Sequence, residues 1–491
     1  MSAESIRPAA VIVLAAGAGT RMKSATPKIL HSLGGRSMVG HALDAAAALQ
    51  PDRLAVVVRH ERDRVAAHVL DHNPGIAIVD QGEVPGTGSA VEAALDALPE
   101  LIHGTVVVTY GDVPLLTPAL IGELVERHVA EGNAATVLTA RVDDPTGYGR
   151  VMRAEDGSVT GIVEQKDATE EELLVNEINS GIYAFSAAEL RTALARVGTE
   201  NAQGEKYLTD VLGILRADGD RVSAAVTTDQ WQVEGANDRV QLAALGKELN
   251  RRIVEGWMRE GVTVIDPDTT WIDVDVALTS DVTLLPGTQL HGRTAIGQGA
   301  TVGPDTTLVN TVVGRGATVK RTDATDSRIG AGATVGPFSY LRKDTVLGEE
   351  GKIGAFYETK NVTIGARSKL SHLGYAGDAE IGEDTNIGCG NITSNYDGVK
   401  KHRTVIGSQV RTGANTVFIA PVTVGDGAYT GAGAVVRRDV PAGALTITQA
   451  PQGVDEGWVL RKRPGTPAAV AATLATQTSS DASFTPAENG K

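Results

Sequence analysis

Apolar residues fall on every sixth position at Ile272, Leu278, Leu284, Leu290, Ile296, Val302 and Leu308. The same step returns over Ile329, Val335, Leu341, Leu347 and Ile353, and again over Ile406, Thr412, Phe418, Val424, Thr430 and Val436. A six-residue period suits neither a helix nor an ordinary paired strand. It predicts hexapeptide coils of a parallel β-helix, each repeat forming one side of a triangular turn. Loops are expected to leave the coil where the period breaks, near residues 322–327, 357–360 and 392–401.

Upstream the pattern is different. Short β-branched runs at 10–14, 53–58, 76–79, 105–109 and 135–139 alternate with amphipathic stretches such as 38–49 and 89–98, which predicts a mostly parallel sheet covered on both faces. Residues 239–260 are charged, with apolar positions three and four apart, and read as one helix bridging two domains. The limits follow as 1–239 for the α/β domain, 240–260 for the bridging helix, 261–463 for the β-helix and 464–491 for a tail. The tail, rich in Ala, Thr, Ser and Pro, is expected to be disordered.

Composition narrows this picture. The 491 residues carry 45 Lys and Arg against 60 Asp and Glu, a net charge of −15. That balance disfavours adhesion to nucleic acid or an anionic membrane and requires local cations to hold any anionic substrate. Glycine numbers 57 while aromatics make up 4%, a pairing that favours a repeat architecture. The one cysteine, Cys389, excludes an internal disulfide and fits a reducing cytoplasm. No run reaches the ~18 apolar residues of a membrane span.

Candidate chemistry begins where the first strand meets glycines, at Leu14-Ala15-Ala16-Gly17-Ala18-Gly19-Thr20-Arg21-Met22 with Pro27-Lys28 after it. Backbone N–H groups of such a loop can face a phosphate. Met22 stands where a dinucleotide loop has its third glycine or alanine, and the Gly-Lys-Ser/Thr of a Walker loop is absent. Arg21 and Lys28 instead suit neutralisation of a pyrophosphate leaving group. Ligands of open α/β sheets sit beyond the carboxyl ends of the strands, which gathers residues 17–21, Gly111-Asp112 and residues 81–87 around one crevice. A lone Asp at a strand end is more often a turn or cap residue than a metal ligand, and the place of Asp112 beside a phosphate loop shifts the reading toward metal.

The loop resembles the signature of sugar-nucleotide pyrophosphorylases. The chain apart from its tail resembles the bifunctional N-acetylglucosamine-1-phosphate uridyltransferase/glucosamine-1-phosphate N-acetyltransferase family. Further matching stretches are Pro85-Gly86-Thr87-Gly88, Tyr110-Gly111-Asp112, Pro145-Thr146-Gly147-Tyr148-Gly149-Arg150, Val163-Glu164-Gln165, Asn179-Ser180-Gly181-Ile182-Tyr183, His372-Leu373-Gly374-Tyr375 and Asn395-Tyr396-Asp397-Gly398. The resemblance implies a Rossmann-like nucleotidyltransferase domain followed by a left-handed parallel β-helix. It implies that N-acetylglucosamine 1-phosphate attacks the α-phosphorus of UTP, with Leu14, Ala15, Ala16 and Gly17 lining the nucleotide and Arg21 and Lys28 facing its phosphates. Gln81, Gly86 and Thr87 would read uracil, Tyr110 and Gly111 would lie beside them, and Gly149, Glu164 and Asn179 would contact the sugar. Asp112 and Asn237 would hold Mg²⁺, an ion that takes oxygen ligands and shares its shell with phosphates.

For the β-helix the resemblance implies acetylation of glucosamine 1-phosphate by acetyl-CoA. An amine attacking a thioester needs a proton acceptor that works near neutral pH, the range in which histidine titrates, and His372 fills that role. Arg342 and Lys360 would clamp the sugar phosphate beside Tyr375 and Asn386. Cys389, Asn395, Tyr396, Ala414, Ala432 and Gln449 would meet acetyl-CoA, and Lys401 would serve phosphate groups or simply lie on a solvated loop. Cys389 stands where alanine is usual, Ala414 where serine is common and Gln449 where some relatives carry arginine. Trp458 would pack over a neighbouring subunit's site in a homotrimer. Two other readings remain at this point: a pyrophosphorylase of different specificity with a non-catalytic β-helix for trimerisation, and a non-catalytic regulator that binds a sugar nucleotide.

Overall fold

The computed structural model describes residues 7–98, 103–448 and 452–481. Its first half is a sheet ordered β11-β7-β10-β6-β1-β4-β5. The first elements are β1 (Ala10–Leu14), the two-residue hairpin strands β2 (Ser32–Leu33) and β3 (Arg36–Ser37), α1 (Met38–Ala48), β4 (Arg53–Val58), α2 (Arg62–His72), β5 (Ala77–Asp80) and α3 (Thr87–Asp96). They are followed by β6 (Thr105–Tyr110), α4 (Pro118–Ala130), β7 (Ala135–Arg141), the hairpin β8 (Arg150–Arg153) and β9 (Val159–Val163), and β10 (Glu177–Ser186). The domain closes with α5 (Ala187–Leu194), α6 (Asp210–Ala217) and β11 (Val222–Thr227). Alternation along β1 sends Ile12 and Leu14 into one apolar layer and Val11 and Val13 into the other, as a strand covered on both faces requires.

The strands marked from the sequence are present and run parallel, and one strand that the sequence did not mark, β10, is inserted among them. It runs antiparallel between β6 and β7 and slips register between Asn179 and Tyr183. Asn179, Ser180 and Gly181 interrupt its apolar run, so alternation does not reveal it. At Gly181 (φ +77°) a Cβ would strike the Tyr110 ring, and the slip thereby seats that ring against the strand.

Helix α7 (Arg239–Arg259) leads into the β-helix, whose parallel pairs step mostly by 16 to 18 residues, as in Trp271 with Gln289 and Val312 with Arg328. Every residue of the three six-residue ladders is buried. Two of the expected loops do not form, because 322–325 and 357–360 are strand. There the step shortens to 16 or 17 residues and the corners absorb the missing residue. The third does form: between Ala379 and Thr404 the step lengthens to 25 residues, and the excess is the excursion after Ser394. The hairpin turn of β2 and β3 docks on the first coil, with Val274 N–H donating to the Gly34 carbonyl (3.0 Å) and Arg36 pairing with Asp275 (2.6 Å).

The region expected to be disordered contains α9 (Pro467–Asp481), preceded by α8 (Trp458–Lys462). Proline suits a first helical turn, and an alanine-rich run loses little side-chain entropy on becoming helical.

His128 illustrates what burial does at the sheet's far end. Its ring is buried beside Thr136 (Nδ1 to Oγ1 3.1 Å), and desolvation lowers its pKa to about 4, partly opposed by Glu189. Between pH 6.5 and 4 the unfolded chain binds a proton there that the folded chain does not. Stability is therefore complete above pH 6.5 and lost as pH falls toward 4, by up to about 3 kcal/mol. Urea midpoints followed by circular dichroism across this window should fall less steeply in His128→Gln than in the unsubstituted chain.

Candidate functional sites

Beyond the carboxyl ends of β6, β1, β4 and β5 lies a cavity of about 480 Å³. Leu14, Ala15, Ala16 and Gly17 form its floor, Gln81, Gly86 and Thr87 one end, and Lys28, Tyr110 and Asp112 the other. Gly111 N–H donates to the Leu14 carbonyl (2.9 Å) and ties the two strand ends together. Gly19 adopts φ +61°, and a Cβ there would strike the Lys28 stem, so glycine allows the lysine to lie along the loop. The Lys28 ammonium contacts the Asp112 carboxylate and donates to Asn237 Oδ1 (3.2 Å). Arg21 is not part of this arrangement. It is exposed on the turn after Gly19, outside the cavity wall, and forms no ion pair among the described residues.

At the other end the Gln81 amide is fixed. Its Nε2 donates to the carbonyls of Gly86 (2.9 Å) and Val84 (3.1 Å) and to Ser89 Oγ (3.1 Å), which leaves Oε1 as its acceptor. The Gly86 loop is clamped in turn: Lys206 N–H donates to Pro85 O (3.1 Å) and Gly88 N–H to Lys206 O (2.8 Å). Gly149, Glu164 and Asn179 form a neighbouring group outside that wall. Asn179 N–H donates to Gly149 O (2.9 Å), and Asn179 Oδ1 accepts from Tyr183 (2.9 Å). Burial raises Glu164 above the usual carboxylate range, against the pull of Thr209, and burial likewise raises Tyr110, reinforced by the charges of Asp112 and Glu164.

Asp112 and Asn237 offer a carboxylate and an amide oxygen that both reach one ammonium nitrogen. Two hard oxygens converging on one point fit a small divalent cation that completes its shell from phosphate and water. No group of three or more acidic, histidine or cysteine side chains is placed to hold a metal ion among the described residues. Sequence reasoning missed Arg59, His60 and Glu205 in the cavity wall. The first two directly follow β4, and the strand-end rule had marked that position.

On the β-helix the expected residues divide around a corner. Arg342, Lys360, Tyr375 and Asn395 follow one another on successive coils: Tyr340 pairs with Glu358, Glu358 with Tyr375 and Tyr375 with Ile392. Arg342 Nη1 donates to Glu358 (3.0 Å). The adjacent Lys401 ammonium lowers the pKa of Lys360. Asn395 contacts Asp378, donates weakly to the Tyr375 hydroxyl (3.4 Å), and shares Asp378 with Asn361 (2.6 Å). Asp378 is thus a buried organiser that no sequence motif revealed.

His372, Cys389, Ala414 and Ala432 form the second group. Each directly precedes a positive-φ corner, at Leu373, Gly390, Asn415 and Gly433. These corners stack through Gly390 N–H to Leu373 O (2.7 Å), Asn415 N–H to Cys389 O (2.6 Å) and Gly433 N–H to Ala414 O (2.7 Å). The four residues are exposed and line one edge of the coil. Asn386 lies on the strand leading to that edge, paired with Lys369. Tyr396 is exposed on the excursion, which Asp397 braces by accepting from Lys400 N–H, His402 and Val399 N–H; these bonds hold its carboxyl well below the usual range. Trp458 is exposed beneath the Arg463 guanidinium (5.7 Å). Gln449 lies outside the described residues.

Residues 11–212 match the MobA-like NTP transferase domain, and residues 403–438 match the bacterial transferase hexapeptide family of six repeats. Among curated proteins the chain is similar to the bifunctional protein GlmU of Pseudarthrobacter chlorophenolicus, at 69% identity over all of both chains. It is similar also to the proteins of that name from Paenarthrobacter aurescens, at 70% identity over 98% of each chain, and Micrococcus luteus, at 64% identity over 97% of this chain and 98% of the other.

Proposed function

This chain belongs to the family of the bifunctional protein GlmU, and from that premise we propose that it makes UDP-N-acetylglucosamine in two steps that run opposite to chain order. The β-helix acetylates glucosamine 1-phosphate with acetyl-CoA. The α/β domain then transfers UMP from UTP to the N-acetylated product and releases pyrophosphate.

The observation that carries the reading is the convergence of Lys28, Asp112 and Asn237 at one end of a cavity whose other end is the fixed Gln81 amide. Gln81 Oε1 accepts from the N–H of uracil, which places the triphosphate toward Lys28. The sugar phosphate oxygen attacks the α-phosphorus while the pyrophosphate oxygen leaves, with no covalent step on the protein, so positioning and charge neutralisation supply the catalysis. Lys28 and the loop N–H groups offset the phosphate charge, while Gly149, Glu164 and Asn179 hold the sugar. Asp112 and Asn237 would hold a divalent cation such as Mg²⁺, which would supply Lewis-acid neutralisation of the phosphates. Arg21, exposed on the turn after Gly19, faces the phosphates from the solvent side.

In the acetyl transfer Arg342 and Lys360 bind the sugar phosphate. The amine nitrogen forms a bond to the thioester carbon, the carbon–sulfur bond breaks, and His372 takes the amine proton. The edge of Cys389, Ala414 and Ala432 carries the acyl donor through backbone groups and small side chains. His372 and the Arg342, Lys360 and Tyr375 group occupy two sides of a corner, which supports a site completed between copies, and hence a homotrimer. A scaffold would have no use for that polar group, which argues against a non-catalytic β-helix. No described helix is long and apolar enough to cross a membrane. The single cysteine fits a reducing cytoplasm, where we place the reaction.

Purified protein supplied with glucosamine 1-phosphate, acetyl-CoA, UTP and Mg²⁺ should yield UDP-N-acetylglucosamine by mass spectrometry, from a species three times the chain mass of 51.0 kDa by light scattering. Consumption of UTP without acetylation of the amine would leave the β-helix a scaffold. Full activity in a monomeric species would overturn the trimer.

A further inference from the structure

The first turn of α7 contains a hydrogen bond that helix capping does not require. Asp238 is the N-cap, its side chain accepting from the N–H groups of Val240 and Gln241, both at 2.9 Å. Gln241, the third helical residue, folds its side chain back, as the partner in a capping box does. In a capping box that side chain accepts from the N-cap residue itself. Here Gln241 Oε1 accepts from the N–H of Asn237 (2.7 Å), one residue outside the helix. The bond therefore restrains the backbone of Asn237 rather than the helix end.

That backbone is held from both sides. Immediately before it, Ala236 N–H donates to the Asp112 carbonyl (3.2 Å), and Ala236 is buried with Met22 and Leu245. After it stands the Asp238 cap. Between these two anchors the Gln241 bond is the one that fixes the Asn237 N–H among the described residues, and the Asn237 side chain reaches Lys28 beside Asp112. We propose that Gln241 is a positioning residue for uridylyl transfer: it fixes Asn237 so that Oδ1 stays aimed at the point shared with Asp112. The proposal rests on the reading of Asn237 and Asp112 as the cation-holding pair. Second-layer hydrogen bonds of this kind commonly govern metal affinity by 10- to 100-fold.

The test compares the full-length chain with Gln241→Leu, which removes the acceptor at similar size, Gln241→Glu, which keeps one, and Asn237→Ala. Mn²⁺ binding in the presence of UTP is read by electron paramagnetic resonance, with acetyl transfer and circular dichroism as controls of the folded chain. Gln241→Leu should weaken Mn²⁺ binding by about tenfold and leave acetyl transfer unchanged, and Gln241→Glu should restore affinity. Unaltered Mn²⁺ affinity in Gln241→Leu, with affinity lost in Asn237→Ala, overturns the positioning role alone. Unaltered affinity in Asn237→Ala overturns the cation reading and the proposal with it. Loss of acetyl transfer or of folded structure in Gln241→Leu assigns the bond to helix stability and equally overturns the proposal.

Discussion

Asp112→Ala should lower kcat/KM for uridylyl transfer by about 10³-fold, roughly 4 kcal/mol of transition-state stabilisation, and leave acetyl transfer within about twofold. The size follows from what is removed. Among the described residues Asp112 supplies the one carboxylate in contact with Lys28, and with it goes the anionic half of the oxygen pair. Lys28 then keeps only the neutral amide of Asn237. Asp112→Asn retains shape and an oxygen but not the charge, and should fall between the two. In the coupled reaction both variants should accumulate N-acetylglucosamine 1-phosphate, which mass spectrometry separates from the final product. A rate near that of the unsubstituted chain in Asp112→Ala would remove this residue from the chemistry.

His372→Ala should abolish acetyl transfer by 10² to 10⁴-fold, the range for loss of a positioned general base, and leave uridylyl transfer intact. His372 is exposed on the coil, and its backbone continues the long strand Lys352–Ile364 pairs with, through Ala355. Its truncation thus removes no core contact. His372→Gln, which keeps a polar side chain of similar size but cannot take up the amine proton, should lose acetyl transfer to the same extent. Near-normal acetyl transfer in either variant would assign the proton to another group.

The β-helix was legible because its code is one-dimensional: Ile272 to Leu308 face inward at a fixed step, and no distant partner is needed to decide which way each points. The loop from Leu14 to Lys28 was legible for a similar reason, since strand, glycines and cations are consecutive. What escaped depends on registry between coils or on how a chain segment turns back. Asp378 becomes an organiser only when Asn361 and Asn395 arrive from the coils before and after it. The shortened corners near residues 322 and 357 look in sequence like departures of the chain, because a deletion and an insertion break a period equally. Gln241 had a local signal in its spacing from Asp238, but nothing in that spacing says that its bond would fall on Asn237.

Helix α7 also separates the two chemistries in space. Its 21 residues span about 30 Å at 1.5 Å per residue, starting beside Asn237 and ending at the first coil, and Arg342 lies four coils further on, at about 4.8 Å each. The covalent joining of the two domains thereby fixes the two chemistries at one site of each kind per chain, whatever the level at which the protein is made.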